Sequence, residues 1–275
     1  MPEGPEIRRE ADRIAAVLAG ERLEAVSFGL PRLKRFGPLL TGCRIIALET
    51  RGKALLTHFD SGLTMYSHNQ LYGRWYVRRR DDLPRTNRSL RVALHTAAHS
   101  ALLYSASDID VLDADALRGH PFLRRIGPDL LSADLTGAAV AQRLRSATFC
   151  NRAVQGLYLD QSFLAGVGNY LRTEILFHAR IHPQARPRRL EGTAIGRLAR
   201  STLTIGRRAY RTGGITNPPA RVAALRKRGL KRAAHRFAAF ARAGEACYRC
   251  GGVIERIEAT SRRLYWCPDC QRDGT

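Results

Sequence analysis

The residues best equipped for chemistry stand at the two ends of the chain. The first six are Met1-Pro2-Glu3-Gly4-Pro5-Glu6, and removal of Met1 would leave Pro2 as a free secondary amine. An α-amino group ordinarily titrates near ~8, so part of it is neutral and nucleophilic at physiological pH. Its attack on an aldehyde carbon gives an iminium with no N–H proton to lose. Such a cation is an electron sink of the same kind as a lysine Schiff base. Glu3 and Glu6 are close enough in sequence to serve as acid, base or electrostatic stabiliser. At the far end, Cys247-Tyr248-Arg249-Cys250 and Cys267-Pro268-Asp269-Cys270 are separated by sixteen residues. This is the spacing of a four-thiolate zinc site. Four cysteines leave no open position for substrate, so one structural Zn2+ is expected, and a module of about thirty residues needs it to fold.

The elements that must position these groups are legible in outline. Pro5 suits the first turn of a helix and Glu6 its positive end. Ile7, Ala11, Ile14 and Leu18 then mark one apolar face, with Gly20 as the stop. A helix N-terminus beside the amine disfavours its ammonium form. Short β-type segments follow at 23–28, 44–49, 54–59, 63–67, 74–77, 90–95 and 101–105, separated by turn signals, which argues for a sandwich or barrel. Lys53 follows Gly52 at a strand start, where spacing alone reads as a solvated lysine. In His68-Asn69-Gln70-Leu71-Tyr72-Gly73, polar and aromatic residues crowd an expected strand–turn–strand tip. Exposed Leu71 and Tyr72 would form an apolar wedge of the kind that DNA-kinking and base-flipping proteins insert into the stack; folded back, they would be core.

Turn residues across 120–134 mark a change of pattern, and a boundary is expected near residue 127. Helices are expected over 136–146, 152–158, 170–178 and 192–211. Gly166-Val167-Gly168-Asn169 precedes the third of these, and a Gly-rich turn entering a helix offers backbone N–H groups to a phosphate. The run from Arg221 to Arg236 is denser in cations and would add contacts that specify no sequence. Two strands joined by a turn are expected between the cysteine pairs, with arginines at the tip Thr260-Ser261-Arg262-Arg263. Cys43 and Cys150 stand alone in apolar surroundings and are expected to be small buried residues.

Composition narrows the partners. The 275-residue chain holds 46 Lys and Arg against 24 Asp and Glu, a formal charge of +22. That imbalance points to a polyanion, and the bias towards Arg favours phosphate. No apolar run approaches the roughly 18 residues needed to span a membrane, and no basic region followed by an apolar one opens the sequence. A cytoplasmic protein contacting nucleic acid is expected.

Together the N-terminal Pro-Glu, the β-rich first half, the Gly-Val-Gly-Asn turn and the four-cysteine hairpin resemble the formamidopyrimidine-DNA glycosylase/endonuclease VIII family. The phrases Met1–Arg9, Thr50–Phe59, Tyr66–Gly73 and Leu103–Ile109 are similar to those of its bacterial endonuclease VIII branch. The resemblance implies an α+β multidomain fold. Residues 1–127 would form a catalytic β-sandwich flanked by helices, 128–240 a helical domain with a helix-two-turn-helix motif, and 241–275 a zinc ribbon. It further implies a monomer that acts on damaged double-stranded DNA, held in a cleft between the domains. Pro2 would be the nucleophile at C1′, Glu3 the residue that moves a proton on the opening sugar, and Lys53 a catalytic lysine near the lesion phosphate. Gln70, Leu71 and Tyr72 would fill the hole left by the everted base, and Asn169 and Arg262 would grip phosphates. The implied activity is removal of oxidised pyrimidines followed by β,δ-elimination. The alternatives are the oxidised-purine branch or a non-catalytic damage-binding protein. The basic run from Arg221 to Arg236 departs from the pattern expected at that place.

Overall fold

The computed structural model describes residues 2–272, which fall into two compact units divided after Arg125. The first opens with α1 (Gly4–Leu18). Pro5 lies in its first turn, and Glu3 and Glu6 close a reciprocal capping box there, with the Glu3 N–H donating to Glu6 Oε2 at 3.1 Å. Ile7, Ala11, Ile14 and Leu18 form its buried stripe, as their spacing predicts. The chain leaves the helix through Gly20, whose φ of +80° suits a residue without Cβ.

Two four-stranded antiparallel sheets follow. The strands are β1 (Ala25–Phe28), then, after a short α2 (Phe36–Leu40), β2 (Ile45–Arg51), β3 (Ala54–Phe59), β4 (Thr64–His68), β5 (Arg74–Arg79), β6 (Leu90–His95), β7 (His99–Tyr104) and β8 (Asp108–Leu112). One sheet has the order β1-β6-β7-β5 and the other β2-β3-β4-β8. Phe59, Met65 and Ile109 from one and Trp75, Leu94 and Leu103 from the other share a core with the α1 stripe, so the unit is a β-sandwich with a helix built into it. Two short helices, α3 (Ala114–Gly119) and α4 (Pro121–Arg125), lay Leu117, Phe122 and Leu123 against Tyr66.

Three expectations are corrected. β8 was not among the expected strands, although Asp108-Ile109-Asp110-Val111 alternates as a half-buried edge strand does. The 68–73 segment is not a hairpin tip, because β4 and β5 belong to different sheets; it is the crossover between them. Cys43 and Cys150 are half-buried, and the Cys43 thiol donates to the Leu39 carbonyl at 3.4 Å.

The second unit is helical until its end. It contains α5 (Gly137–Arg145), whose first turn is capped by Thr136, then α6 (Val154–Leu157), α7 (Asn169–Ala179) and α8 (Gly192–Thr212). α9 (Pro219–Lys227) and α10 (Arg232–Arg236) follow, and β9 (Glu255–Ala259) pairs with β10 (Arg262–Trp266) as a hairpin. α7 is buried almost all round, which makes it the axis of this unit. Leu171, Ile175 and Leu176 pack among α5 and α8, while Ala259 and Leu264 bring the terminal hairpin onto the same core.

Candidate functional site: two anchored reversals and a helix head

Pro2 is half-buried and Glu3 is 3% exposed, at the head of α1. A backbone bridge from Ala19 to Ile45 ties the tail of α1 to the start of β2. The fifteen-residue helix and the seven-residue strand it packs against both span about 22 Å, which places the helix head towards the β2–β3 turn. That turn is Gly52-Lys53. The pairing of Arg51 with Ala54 leaves only those two residues in it, and Gly52 at φ +66° takes the first central position, the pattern of a type II′ turn. Lys53 is therefore half-buried on a fixed turn. Its charge bears on His68, whose pKa burial lowers most; Lys53 lowers it further and Asp108 opposes both.

The crossover holds its backbone tightly and its side chains loosely. Asn69 is 3% exposed, and its Nδ2 donates to Glu10 Oε2 at 2.7 Å. The Gly73 N–H returns to the Asn69 carbonyl at 2.7 Å, so close that a Cβ on Gly73 would lie 2.5 Å from that oxygen. Gln70 sits at φ +51°, with Oε1 accepting from Ser107 Oγ at 2.9 Å, and Arg88 donates to the Tyr72 carbonyl. Leu71 and Tyr72 are 59% and 68% exposed. Glu10 itself is pushed up to about 7, chiefly by burial and secondarily by Glu6, against the lowering effects of Asn69, Arg13 and Arg74.

In the second unit Asn169 is the first residue of α7, after Gly168 at the cap. Its amide is engaged on both sides, Nδ2 donating to the Arg263 carbonyl at 2.8 Å and Oδ1 accepting from Arg172 at 2.6 Å. Arg172 is fully buried and reaches the tip of the terminal hairpin. It donates to the carbonyls of Gln155 (3.0 Å), Ala259 (3.4 Å) and Arg263 (3.2 Å) and to Thr260 Oγ1 (3.3 Å). The tip needs this clamp. Thr260 and Ser261 both adopt positive φ, +54° and +56°, as a two-residue type I′ turn demands, and each non-glycine residue there costs about 1 kcal/mol. Arg262 begins β10 immediately beyond and is exposed. Sequence reasoning missed Arg172, Glu174 and Glu10. For the first two a signal existed: charged residues inside an otherwise apolar helix must find buried partners.

Cys247, Cys250, Cys267 and Cys270 converge, with all four sulfurs within 4.8 Å of one another. Cys247 and Cys270 lie 3.9 Å apart, and Cys250 and Cys267 3.4 Å. Zn–S bonds of about 2.3 Å set tetrahedral sulfur–sulfur edges near ~3.8 Å, so the set fits one zinc ion closed to other ligands. Ile254 and Tyr265 of the same terminal segment, with Phe177 from α7, share a buried cluster with Cys247 and Cys267. Among the described residues no helix is long and apolar enough to cross a membrane.

Comparison with known proteins agrees with this layout. Residues 1–108 match the formamidopyrimidine-DNA glycosylase N-terminal domain, 126–218 its H2TH domain, and 244–272 the zinc finger found in FPG and IleRS. Endonuclease 8 of Klebsiella pneumoniae is 50% identical over 271 residues, covering 98% of this chain and all of that protein. Endonuclease 8 of Salmonella paratyphi B is 50% identical over 272 residues, 99% of this chain and again all of the relative. Lactococcus lactis formamidopyrimidine DNA glycosylase, bound to DNA containing an AP site, superposes with a TM-score of 0.81 at 22% identity over 98% of this chain and 100% of that one.

Proposed function

The chain belongs to the formamidopyrimidine-DNA glycosylase family, and on that premise we propose that it is a DNA glycosylase and AP lyase that removes oxidised pyrimidines from duplex DNA. The observation that carries the reading is the full-length, 50% identity to proteins named endonuclease 8. The helix head supports it chemically, since it sets a proline beside a buried glutamate.

With Met1 removed, the Pro2 nitrogen attacks C1′ of the everted nucleotide, and the base departs with the electrons of the glycosidic bond. Glu3 protonates the ring oxygen, the sugar opens, and the resulting iminium acidifies the C2′ proton. Loss of that proton breaks C3′–O3′ in a β-elimination. A second elimination breaks C5′–O5′ and leaves phosphates on both sides of a one-nucleotide gap. Lys53 holds the lesion phosphate, Gln70, Leu71 and Tyr72 occupy the vacated stack, and Asn169 and Arg262 grip flanking phosphates. Unstacking costs a few kcal/mol and less for a damaged base, one physical source of selectivity. Zinc holds the hairpin and takes no part in the chemistry. The protein acts as a monomer in the cytoplasm.

Borohydride reduces the iminium and locks protein to DNA. Trapping is expected on duplexes bearing an oxidised pyrimidine and sharply weaker for Pro2→Gly. Equal trapping by that variant would assign the nucleophile elsewhere, and preferential trapping on an oxidised purine run in parallel would move the protein to the other substrate class.

A further inference from the structure

Between Glu191 and Glu245 the sequence contains no acidic residue. Within that stretch the chain leaves the body of the second unit after Thr216 and returns at Phe237. The excursion is a built structure. The Thr216 N–H donates to the Arg236 carbonyl at 2.9 Å, and Asn217 Nδ2 reaches the carbonyls of His235 (3.1 Å) and Phe237 (2.8 Å). Glu174 secures the neck, accepting from Thr216 Oγ1 and from the N–H groups of residues 238, 239 and 240 at 2.5–2.9 Å. Val222 and Leu225 are buried beneath α9.

The cations here divide into two sets. Arg221 serves the fold: it donates to the Tyr248 carbonyl at 2.7 Å and lies 4.7 Å from the centre of that ring, against which Arg242 also stacks. Tyr248 in turn donates to the Ala234 carbonyl at 2.7 Å, fastening the excursion to the first cysteine loop. Arg232 and Arg236 likewise serve the fold, donating to the carbonyls of Gly213 and Gly214, whereas Arg226, Lys227, Arg228 and Lys231 are exposed around a left-handed turn at Gly229, φ +74°. A rigid base carrying clustered cations, with no carboxylate in the segment to neutralise them, matches a polyphosphate.

We propose that this excursion is a second, sequence-independent contact for the phosphate backbone of duplex DNA, distinct from the hairpin tip and the wedge. It rests on the function proposed above. Each phosphate neutralised releases counterions and adds about 0.9 to the slope of log affinity against log salt. The test replaces Arg226, Lys227, Arg228 and Lys231 by Ser, leaving the Arg221–Tyr248 stack and the neck intact, and titrates an undamaged duplex across salt. The slope is expected to fall by roughly two or more, with affinity down on the order of tenfold at low salt and the two proteins converging at high salt. An unchanged slope in a variant of normal thermal stability and zinc content would overturn the proposal. Borohydride trapping of the parent on lesion DNA reports on the proposed function separately, so the two failures are distinguishable.

Glu10 carries a second inference independently. It lies on α1, the helix that begins just beyond Pro2, yet its carboxylate holds Asn69, the buried pivot of the crossover. We infer that Glu10 is a positioning residue that fixes the Gln70-Leu71-Tyr72 wedge relative to the head of α1. Glu10→Ala is expected to slow single-turnover excision from duplex DNA by roughly tenfold or more. The same lesion in a single strand, with no stack to open, should lose less than about twofold. Glu10→Gln keeps an acceptor for Asn69 and is expected to restore the duplex rate. Equal losses on both substrates, or failure of Gln to rescue, would contradict the inference.

Discussion

The 69–73 crossover and the 259–262 hairpin both force non-glycine residues to positive φ, Gln70 in one and Thr260 with Ser261 in the other. Their supports are opposite in kind. The hairpin tip is clamped by a guanidinium with no solvent exposure, and its outward residues are polar. The crossover is held at its ends by Asn69, Gly73 and Arg88, while Leu71 and Tyr72 stand in water. A buried Leu- or Tyr-sized side chain gains roughly 1.5–3 kcal/mol over an exposed one. The free protein therefore forgoes that stabilisation at Leu71 and Tyr72, and in the role proposed for them insertion into a base stack would recover it. A grip on phosphates demands fixed geometry, whereas a wedge demands apolar surface that the fold leaves uncovered.

Removing the metal attacks the hairpin alone and should have the largest effect. Structural zinc contributes on the order of 10 kcal/mol to modules of this size. Chelation is expected to expose residues 244–272 to protease and to weaken DNA binding, while the sandwich keeps its amide-exchange protection. Unchanged affinity in demonstrably metal-free protein would remove the hairpin from the DNA-binding surface. Arg172→Ala should cost about 3–5 kcal/mol in denaturant unfolding, because it leaves several carbonyls without a donor and opens a cavity. Arg172→Lys should rescue little, since one ammonium does not span the fork-shaped set of acceptors.

Glu10 sharpens the other side of the comparison through pH. Its pKa is raised in the folded protein to about 7, so between about 4.5 and 7 the folded state binds the proton that the unfolded state has lost. The contribution to stability is full below the unfolded value and disappears as pH rises through 7, by up to about 3 kcal/mol. Relative to the parent, Glu10→Gln should gain stability across that window, measured by denaturation at pH 5 and pH 8; parallel curves would refute the shift. The smallest stability change belongs to the wedge. Leu71→Ala with Tyr72→Ala should move unfolding by no more than about 0.5 kcal/mol, yet slow excision from duplex DNA. A large loss of stability would mean that these side chains are packed after all.

Local pattern made much of this legible. The α1 stripe follows from helical spacing, and the zinc set from cysteine spacing, because each depends on neighbours in sequence. β8 carried its alternation in plain view, but its two aspartates look like a turn until the edge position explains them. The crossover could not be distinguished from a hairpin, since which sheet β5 joins is decided by its pairing with β7 far along the chain. Arg172, Glu174 and Glu10 act through partners dozens of residues away, and no local signal names those partners.

The central claim is that the mature N-terminal imino nitrogen attacks the sugar. The most direct test digests the borohydride-reduced protein–DNA adduct and locates the sugar remnant by mass spectrometry. The account predicts the remnant on Pro2 in a peptide lacking Met1. A remnant on Lys53 or another lysine, or trapped protein that still retains Met1, would contradict it.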